Sequence, residues 1–327
     1  MILLITIITV SLVFDYTNGF HDTANAIATS VSTRALSPRV AVLMAAVLNM
    51  LGAFVGTKVA ETVGAGIIET GGVTLELVLA AVLGAVAWNL ITWYFGIPSS
   101  SSHALIGGLV GAAIAKDGLH LVLWDGVVEK VVVPMIASPA LGFVVAFAVM
   151  TLLLWLVRRW PPAPVNRWFR LLQPISAGFM AFSHGRNDAQ KTMGVITLAL
   201  VASGHLDTFD IPIWVVVACA SAMALGTYSG GWRIIHTLGS KVIKLDPIHG
   251  FAAETSAATV IQLATSWGFP VSTTHTITTA IMGVGATKRL SAVRWGVAGN
   301  IVTAWVLTLP AAALMAGLVY LLLDLVI

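Results

Sequence analysis

The chain has 327 residues, 58 % of them hydrophobic and only 9 % charged, with a mean hydropathy of +0.94. A soluble domain carries about 25 % charged residues, so a soluble globular protein is excluded, and runs such as 1–14, 40–56, 131–157, 211–226 and 301–323 carry no Asp, Glu, Lys or Arg. The net charge of +3 fits basic cytoplasmic loops and does not call for a nucleic-acid partner.

The first element begins at MILLITIITV, which has no basic stretch before its apolar run and no cleavage site after it, so a signal peptide is not expected. It runs into NGFHDTANAIATS (18–30) and reads as a long broken helix, with Gly19 allowing the backbone to unwind just before the motif. Asp15 is expected near a mouth or interface. A basic loop with Arg34 and Arg39 follows, then an apolar helix, then an acidic loop with Glu61 and Glu69. A hairpin carries IPSSSSH (97–103), and an apolar helix over 131–157 closes the half.

Residues 158–170, RRWPPAPVNRWFR, hold four arginines and three prolines and read as a short basic cytoplasmic linker. Beyond it the pattern returns. Asp22 falls on Asp188 of FSHGRNDAQKT (182–192), GAFVG (52–56) on GTYSG (226–230), and PSSSSH (98–103) on PVSTTH (270–275). Self-similarity at half the chain length points to a duplicated bundle, with halves 1–157 and 171–327. Loop charge swaps sign between the halves: SGHLDTFD (203–210) is acidic where its counterpart is basic, and Arg233, Lys241 and Lys244 stand opposite Glu61 and Glu69. The expectation is an all-α polytopic membrane protein with about 10–12 membrane segments. Its two halves form an inverted-topology repeat with broken helices and re-entrant hairpins, and both termini lie outside. The one cysteine, Cys219, reads as a small core residue.

Irregular polar backbone is tolerated at membrane depth only inside protein or along a cavity. Pro98 and Pro270 each end one half-helix and start another. Free N–H groups then lie beside Ser100, Ser101 and Ser102, and beside Ser272, Thr273 and Thr274. Two such ends facing each other would cradle one small oxyanion. Asp22 and Asp188, costly at that depth, can coordinate Na⁺, carry H⁺, or hydrogen-bond a protonated oxyanion. Asn25 and Asn187 add carbonyl ligands. Glu254 is a third intramembrane carboxylate, suited to coupling or to an interhelical hydrogen bond. His103 and His275 are open to donation, proton transfer or structure. Arg186 and Lys191 have no charged counterpart in the first motif.

NGFHDTANAIAT, AFSHGRNDAQKTMG, WNLITWYFGIPSSSSHALIG and FPVSTTHTITTAIMG together resemble the inorganic phosphate transporter (PiT) family, and in the first motif most closely its bacterial low-affinity members. The resemblance spans both halves. It implies a non-enzymatic secondary transporter that imports inorganic phosphate across the cytoplasmic membrane by cation symport. It further implies a homodimer, no cofactor, and phosphate held between hairpins and broken helices. Proton coupling is favoured, with phosphate also carried as a divalent-metal complex. The sodium-coupled relatives read Asn-Asp in both halves and carry a glutamate at the place of Asn49, whereas this chain has His21-Asp22 and keeps only Glu254. His21, Asp22, Asn25, Asp188 and Glu254 are the coupling-ion candidates. Ser100–Ser102, Ser272, Thr273, Thr274, Asp22, Asp188 and Asn187 are the phosphate candidates. The His21/Asp22 region is expected to carry the proton, and Asp188 with Asn187 the substrate or a cation. The alternatives are Na⁺ coupling, another tetrahedral oxyanion such as sulfate, an anion channel, and an intramembrane Ser/His hydrolase, which lacks a G-x-S-x-G elbow here.

Overall fold

A computed structural model describes residues 1–326. Among these residues the chain is nearly all helical, the only β feature being an isolated bridge between Ile68 and Val122. The first half contains α1 (Ile2–Ser32), α2 (Pro38–Ala53), α3 (Lys58–Ala65), α4 (Leu75–Phe95), α5 (Ser101–Asp117), a short α6 (Trp124–Val127) and α7 (Val133–Val157). The second contains α8 (Pro162–Ala202), α9 (Ile213–Ser229), α10 (Trp232–His236), α11 (Pro247–Ser266), α12 (Thr273–Ala286) and α13 (Trp295–Asp324). The connector is shorter than the sequence implies. Pro162 and Pro164 sit in the first turn of α8, where a missing N–H is harmless, so only residues 158–161 separate α7 from α8.

Five helical stretches are long and apolar enough to cross a membrane, or seven if each bent pair counts as one span. The remaining segments, α8, α11 and α12, carry the polar motifs, and with them the chain reaches the lower end of the expected range. This is a multi-pass membrane protein. The outer helices are the most lipid-like: the spanning windows of 124–157 and 295–324 are only 17 % and 22 % buried.

The helix breaks fall elsewhere than expected. α1 and α8 run unbroken through both acidic motifs. Gly19 and Gly185 do not unwind the chain there; they let backbones touch. A Cβ on Gly19 would meet Met223 O and, at 2.8 Å, Thr227 N on α9, and one on Gly185 would meet Asn49 O on α2. The breaks lie instead between α2 and α3, bent by 74°, and between α9 and α10, bent by 60°. Gly56 at φ +87° and Gly230 at φ +74° supply the left-handed backbone those bends need.

The two long helices run antiparallel. Thr33 donates to Gln173 at 2.6 Å, while eleven residues back along α1 Asp22 lies 4.0 Å from His184, eleven residues forward along α8. α2 runs parallel to α8, with Leu48 against Gly178 and Gly52 against Phe182, and past the bend Ala60 of α3 lies against Gly194. Two apolar clusters result. One gathers the N-terminal part of α1, the α4–α5 hairpin, the C-terminal part of α8, and α9. The other gathers the C-terminal part of α1, α2, the α11–α12 hairpin and α10. The polar motifs lie at the seam between them.

Candidate anion and cation site

Both hairpin tips are extended segments stitched into short helix starts. Gly96 (φ +66°) stops α4 and Gly268 (φ +79°) follows the end of α11. Pro98 and Pro270 lie past the ends of the incoming arms and three residues before the first helical residues Ser101 and Thr273, so they sit in the extended tips and do not open the outgoing helices. Ser100 and Ser272 are the N-caps: their hydroxyls accept from His103 N and His275 N, each at 3.2 Å. One lone pair of each is thus engaged locally, and each hydroxyl keeps its proton to offer an anion. Ser101, Ser102, Thr273 and Thr274 are the first helical residues and are all buried.

The tips meet. Ser102 Oγ lies 3.5 Å from Val271 O of the opposite tip, and the His103 and His275 rings are 4.9 Å apart between centroids. Trp305 of α13 fastens both: its indole N–H donates to Pro98 O at 3.0 Å and its ring stacks on His275 at 4.0 Å. Trp305 is therefore a packing residue, while Trp155, Trp160, Trp168 and Trp267 are exposed.

The acidic motifs face this junction from α1 and α8. Asp22 Oδ1 lies 2.6 Å from His21 Nδ1 and accepts from Thr274 at 3.3 Å. His21 Nε2 reaches Thr92 Oγ1 of α4 at 3.1 Å, and Ser99 donates to Thr92 at 2.9 Å. Asn25 donates to Thr273 and Thr274 at 3.2 and 2.9 Å. On the other side Thr273 donates to Asp188 Oδ2 at 3.0 Å, and Asn187 donates to Thr265 of α11 at 2.7 Å and to Phe269 O at 3.2 Å. Asp188, Asp22, Asn187 and His21 are each at most 2 % exposed. The structure thus gathers Asp22, Asn25, Asn187, Asp188, Ser102, Thr273 and Thr274 at one place.

Two members of this cluster were not among the sequence-derived site residues. Lys191, fully buried, places its ammonium against Asp188 Oδ1, Ser102 Oγ and, at 3.1 Å, Val271 O. His184 Nε2 lies 3.0 Å from Asp188 Oδ2 and 4.0 Å from Asp22 Oδ2, with Nδ1 3.1 Å from Asn49 Oδ1. His184 stands one helical turn before Asp188, a spacing that puts both on one face. Asp22, His184 and Asp188 bring one ligand atom each within 4.8 Å of the others, a geometry able to hold a cation. The buried oxygens Asn25 Oδ1, Asn187 Oδ1 and Ser101 Oγ have no partner among the described residues and remain available to a ligand.

Glu254 stands apart from this junction. It accepts from Thr29 of α1, from Ser176 and, at 3.2 Å, from Gln173 of α8. It ties the α11 arm to both long helices. Arg186 bonds Val55 O at 3.2 Å and Gln262, outside the cluster. Cys219 is buried in the core as expected.

Comparison with known proteins agrees with this architecture. The profile of the Phosphate transporter family matches residues 18–316. A protein of Rhizobium meliloti (strain 1021), named a probable low-affinity inorganic phosphate transporter, is 54 % identical over 326 residues, covering 99 % of this chain and 97 % of that one. A protein of the same description from Bacillus subtilis (strain 168) is 46 % identical over 331 residues, covering 100 % and 98 %. A solved structure, named as the sodium-dependent phosphate transporter, superposes with a TM-score of 0.91 at 27 % identity, over the full length of both chains. With residues 18–316 matched by the family and nearly its whole length aligned to such relatives, the chain belongs to the phosphate transporter family.

Proposed function

We propose that this protein imports inorganic phosphate across the cytoplasmic membrane by proton symport, binding it at the junction of the two hairpin tips. The observation that carries this reading is the meeting of two pseudo-equivalent helix starts beside one carboxylate from each long helix: Thr273 and Thr274 of α12 donate to Asp188 and Asp22, and Ser102 of α5 lies against Val271 O next to them. Helix N-termini and hydroxyls favour an oxyanion. A carboxylate favours phosphate over sulfate, because HPO₄²⁻ brings an O–H to donate and sulfate at neutral pH does not. Ser101, Ser102, Thr273 and Thr274 hold the anion, and Asn187, Asp188 and Lys191 orient it.

The halves 1–157 and 171–327 act as an inverted repeat. The antiparallel run of α1 and α8 and the parallel run of α2 and α8 support this, since alternating access can then rock one half against the other. Nitrogen neighbours favour the proton as driving ion. Asp188 has a resident ammonium beside it, and Asp22 has the His21 imidazole, a group with a nitrogen that can hold a proton. Sodium coupling is the second reading, supported by the Asp22–His184–Asp188 triangle and by the sodium dependence of the structural neighbour.

Uptake of radiolabelled phosphate into proteoliposomes, with pH and Na⁺ gradients imposed separately, tests both. An inward proton gradient alone should drive accumulation, and sulfate in excess should not compete. Accumulation that needs Na⁺ and ignores a pH gradient would overturn the proton assignment. A flux that never saturates would overturn the transporter.

A further inference from the structure

α1 carries a polar stripe along its whole membrane-crossing length. Ser11, Asp15, Asn18, Asp22, Asn25 and Thr29 follow each other at steps of three or four residues, so they share one face of the helix. All six are at most 2 % exposed. At 1.5 Å per residue the stripe is about 27 Å long, close to the ~30 Å thickness of the hydrocarbon core. Its middle is the candidate site and its far end donates to Glu254 through Thr29. The near end, Ser11, Asp15 and Asn18, has no role in the site described above.

That near end is where the expectation for Asp15 fails: it lies at neither a mouth nor an interface but is 0 % exposed. Among the described residues neither of its oxygens has a hydrogen-bond partner, and Ser11 Oγ, Asn18 Oδ1, Asn89 Oδ1 and Thr192 Oγ1 are likewise buried and unpartnered. Thr192 of α8 and Cys219 of α9 lie beside the carboxyl without bonding geometry. The titratable groups facing it are Cys219 from α9 and, farther off, Asp188 and Lys191 from α8. α4 meets this stretch of α1 through Asn89, which donates to Thr17 at 3.4 Å, and its own titratable residues, Glu76 and Tyr94, are at its ends. A carboxylate buried without a counter-ion is costly when ionised and far less so as a neutral acid. Beyond Ser11, Leu4 and Ile7 close the stripe off with apolar side chains.

We propose that Asp15 is a proton-carrying station on the route between the membrane face at the N-terminal end of α1 and the central site, and that Ser11, Asp15 and Asn18 line that route. The step is a proton transfer. The acid O–H of Asp15 breaks, the proton passes to intervening water and on to a base at the central site, and Asp15 is left ionised until it is reprotonated from the membrane face. Water is required because seven residues of helix put Asp15 about 10 Å from Asp22 of that site. The inference rests on the proton reading of the coupling ion.

The test separates net transport from exchange. Net uptake driven by a proton gradient needs the proton to enter and leave, whereas exchange of labelled for unlabelled phosphate at equal pH does not. Asp15→Asn should lower gradient-driven uptake by about tenfold or more and leave exchange near the wild-type rate. Asp15→Glu should restore most of the gradient response. A phosphate-induced rise in unfolding temperature in detergent checks that each variant folds and binds. Asp15→Asn that accumulates phosphate like the wild type would overturn the proposal. So would parallel loss of uptake and exchange, which marks a structural role. Wild-type protein that exchanges phosphate but ignores pH would instead sink the proton reading, and one that does not exchange phosphate would sink the substrate.

Discussion

The acidic motif of α1 and that of α8 share a scaffold and differ in charge. In each, the residue before the aspartate reaches a threonine on the incoming hairpin arm: His21 to Thr92, Asn187 to Thr265. In each, a glycine three residues before the aspartate lets the helix press against a neighbouring backbone. The third polar position breaks the likeness. Asn25 offers a neutral amide to Thr273 and Thr274, whereas Lys191 offers an ammonium to Asp188 and Ser102. Asp188 is therefore matched by a cation built into the chain. Asp22 has only His21 and, at 4.0 Å, His184. A mobile cation or proton is worth most where no fixed charge already does its task, and that place is Asp22.

The largest expected effect comes from removing the built-in cation. Lys191→Met leaves the buried Asp188 without its ammonium partner and should destabilise the protein by about 3–5 kcal/mol. Thermal or denaturant unfolding in detergent would measure it. Lys191→Met combined with Asp188→Asn should recover most of the loss, because the charge and its partner leave together. If the double variant is no more stable than the single one, the two halves are not asymmetric in the way described. Asp22→Asn removes no lysine partner, so it should nearly abolish uptake while shifting stability far less than Lys191→Met does.

The shared scaffold can be tested with Gly19→Ala and Gly185→Ala. Both meet backbone atoms of an adjacent helix, so both should cost about 1–3 kcal/mol through overpacking. Similar losses would confirm that the glycines serve packing in both halves; no loss at either would restore the idea of an unwound helix. The smallest effect should come from His21→Asn, which makes the α1 motif read like that of α8. It should weaken the pH dependence of uptake and leave phosphate binding largely intact. An unchanged pH profile would remove His21 from the coupling machinery.

The hairpin tips were legible in the sequence because proline and hydroxyl clusters inside apolar runs have few uses, and two matched copies narrow the uses further. Asp22 and Asp188 stood out for the same reason, being expensive residues at repeated places, and Asn25 and Asn187 stood out as amides beside them. The course of α1 and α8 was not legible. Glycine permits both an unwound backbone and a close helix contact, and only the neighbouring helix decides between them. Lys191 was visible but its head was not placed, since a flexible four-carbon stem can snorkel outward or turn inward. His184 was readable from its spacing to Asp188. The burial of Asp15 depends on α8 and α9 covering α1, which no local pattern reports. The bends at Gly56 and Gly230 were marked by glycine, yet the polar motifs drew the expected breaks to α1 and α8 instead.

A structure determined with phosphate bound, or with arsenate located by its anomalous scattering, tests the central claim most directly. The account predicts one tetrahedral anion between the hairpin tips, with the Ser101, Ser102, Thr273 and Thr274 hydroxyls at about 2.5–3.0 Å and Asp22 and Asp188 on either side. An anion bound elsewhere, with the tips closed on each other and Lys191 still bridging Ser102 and Asp188, would contradict it.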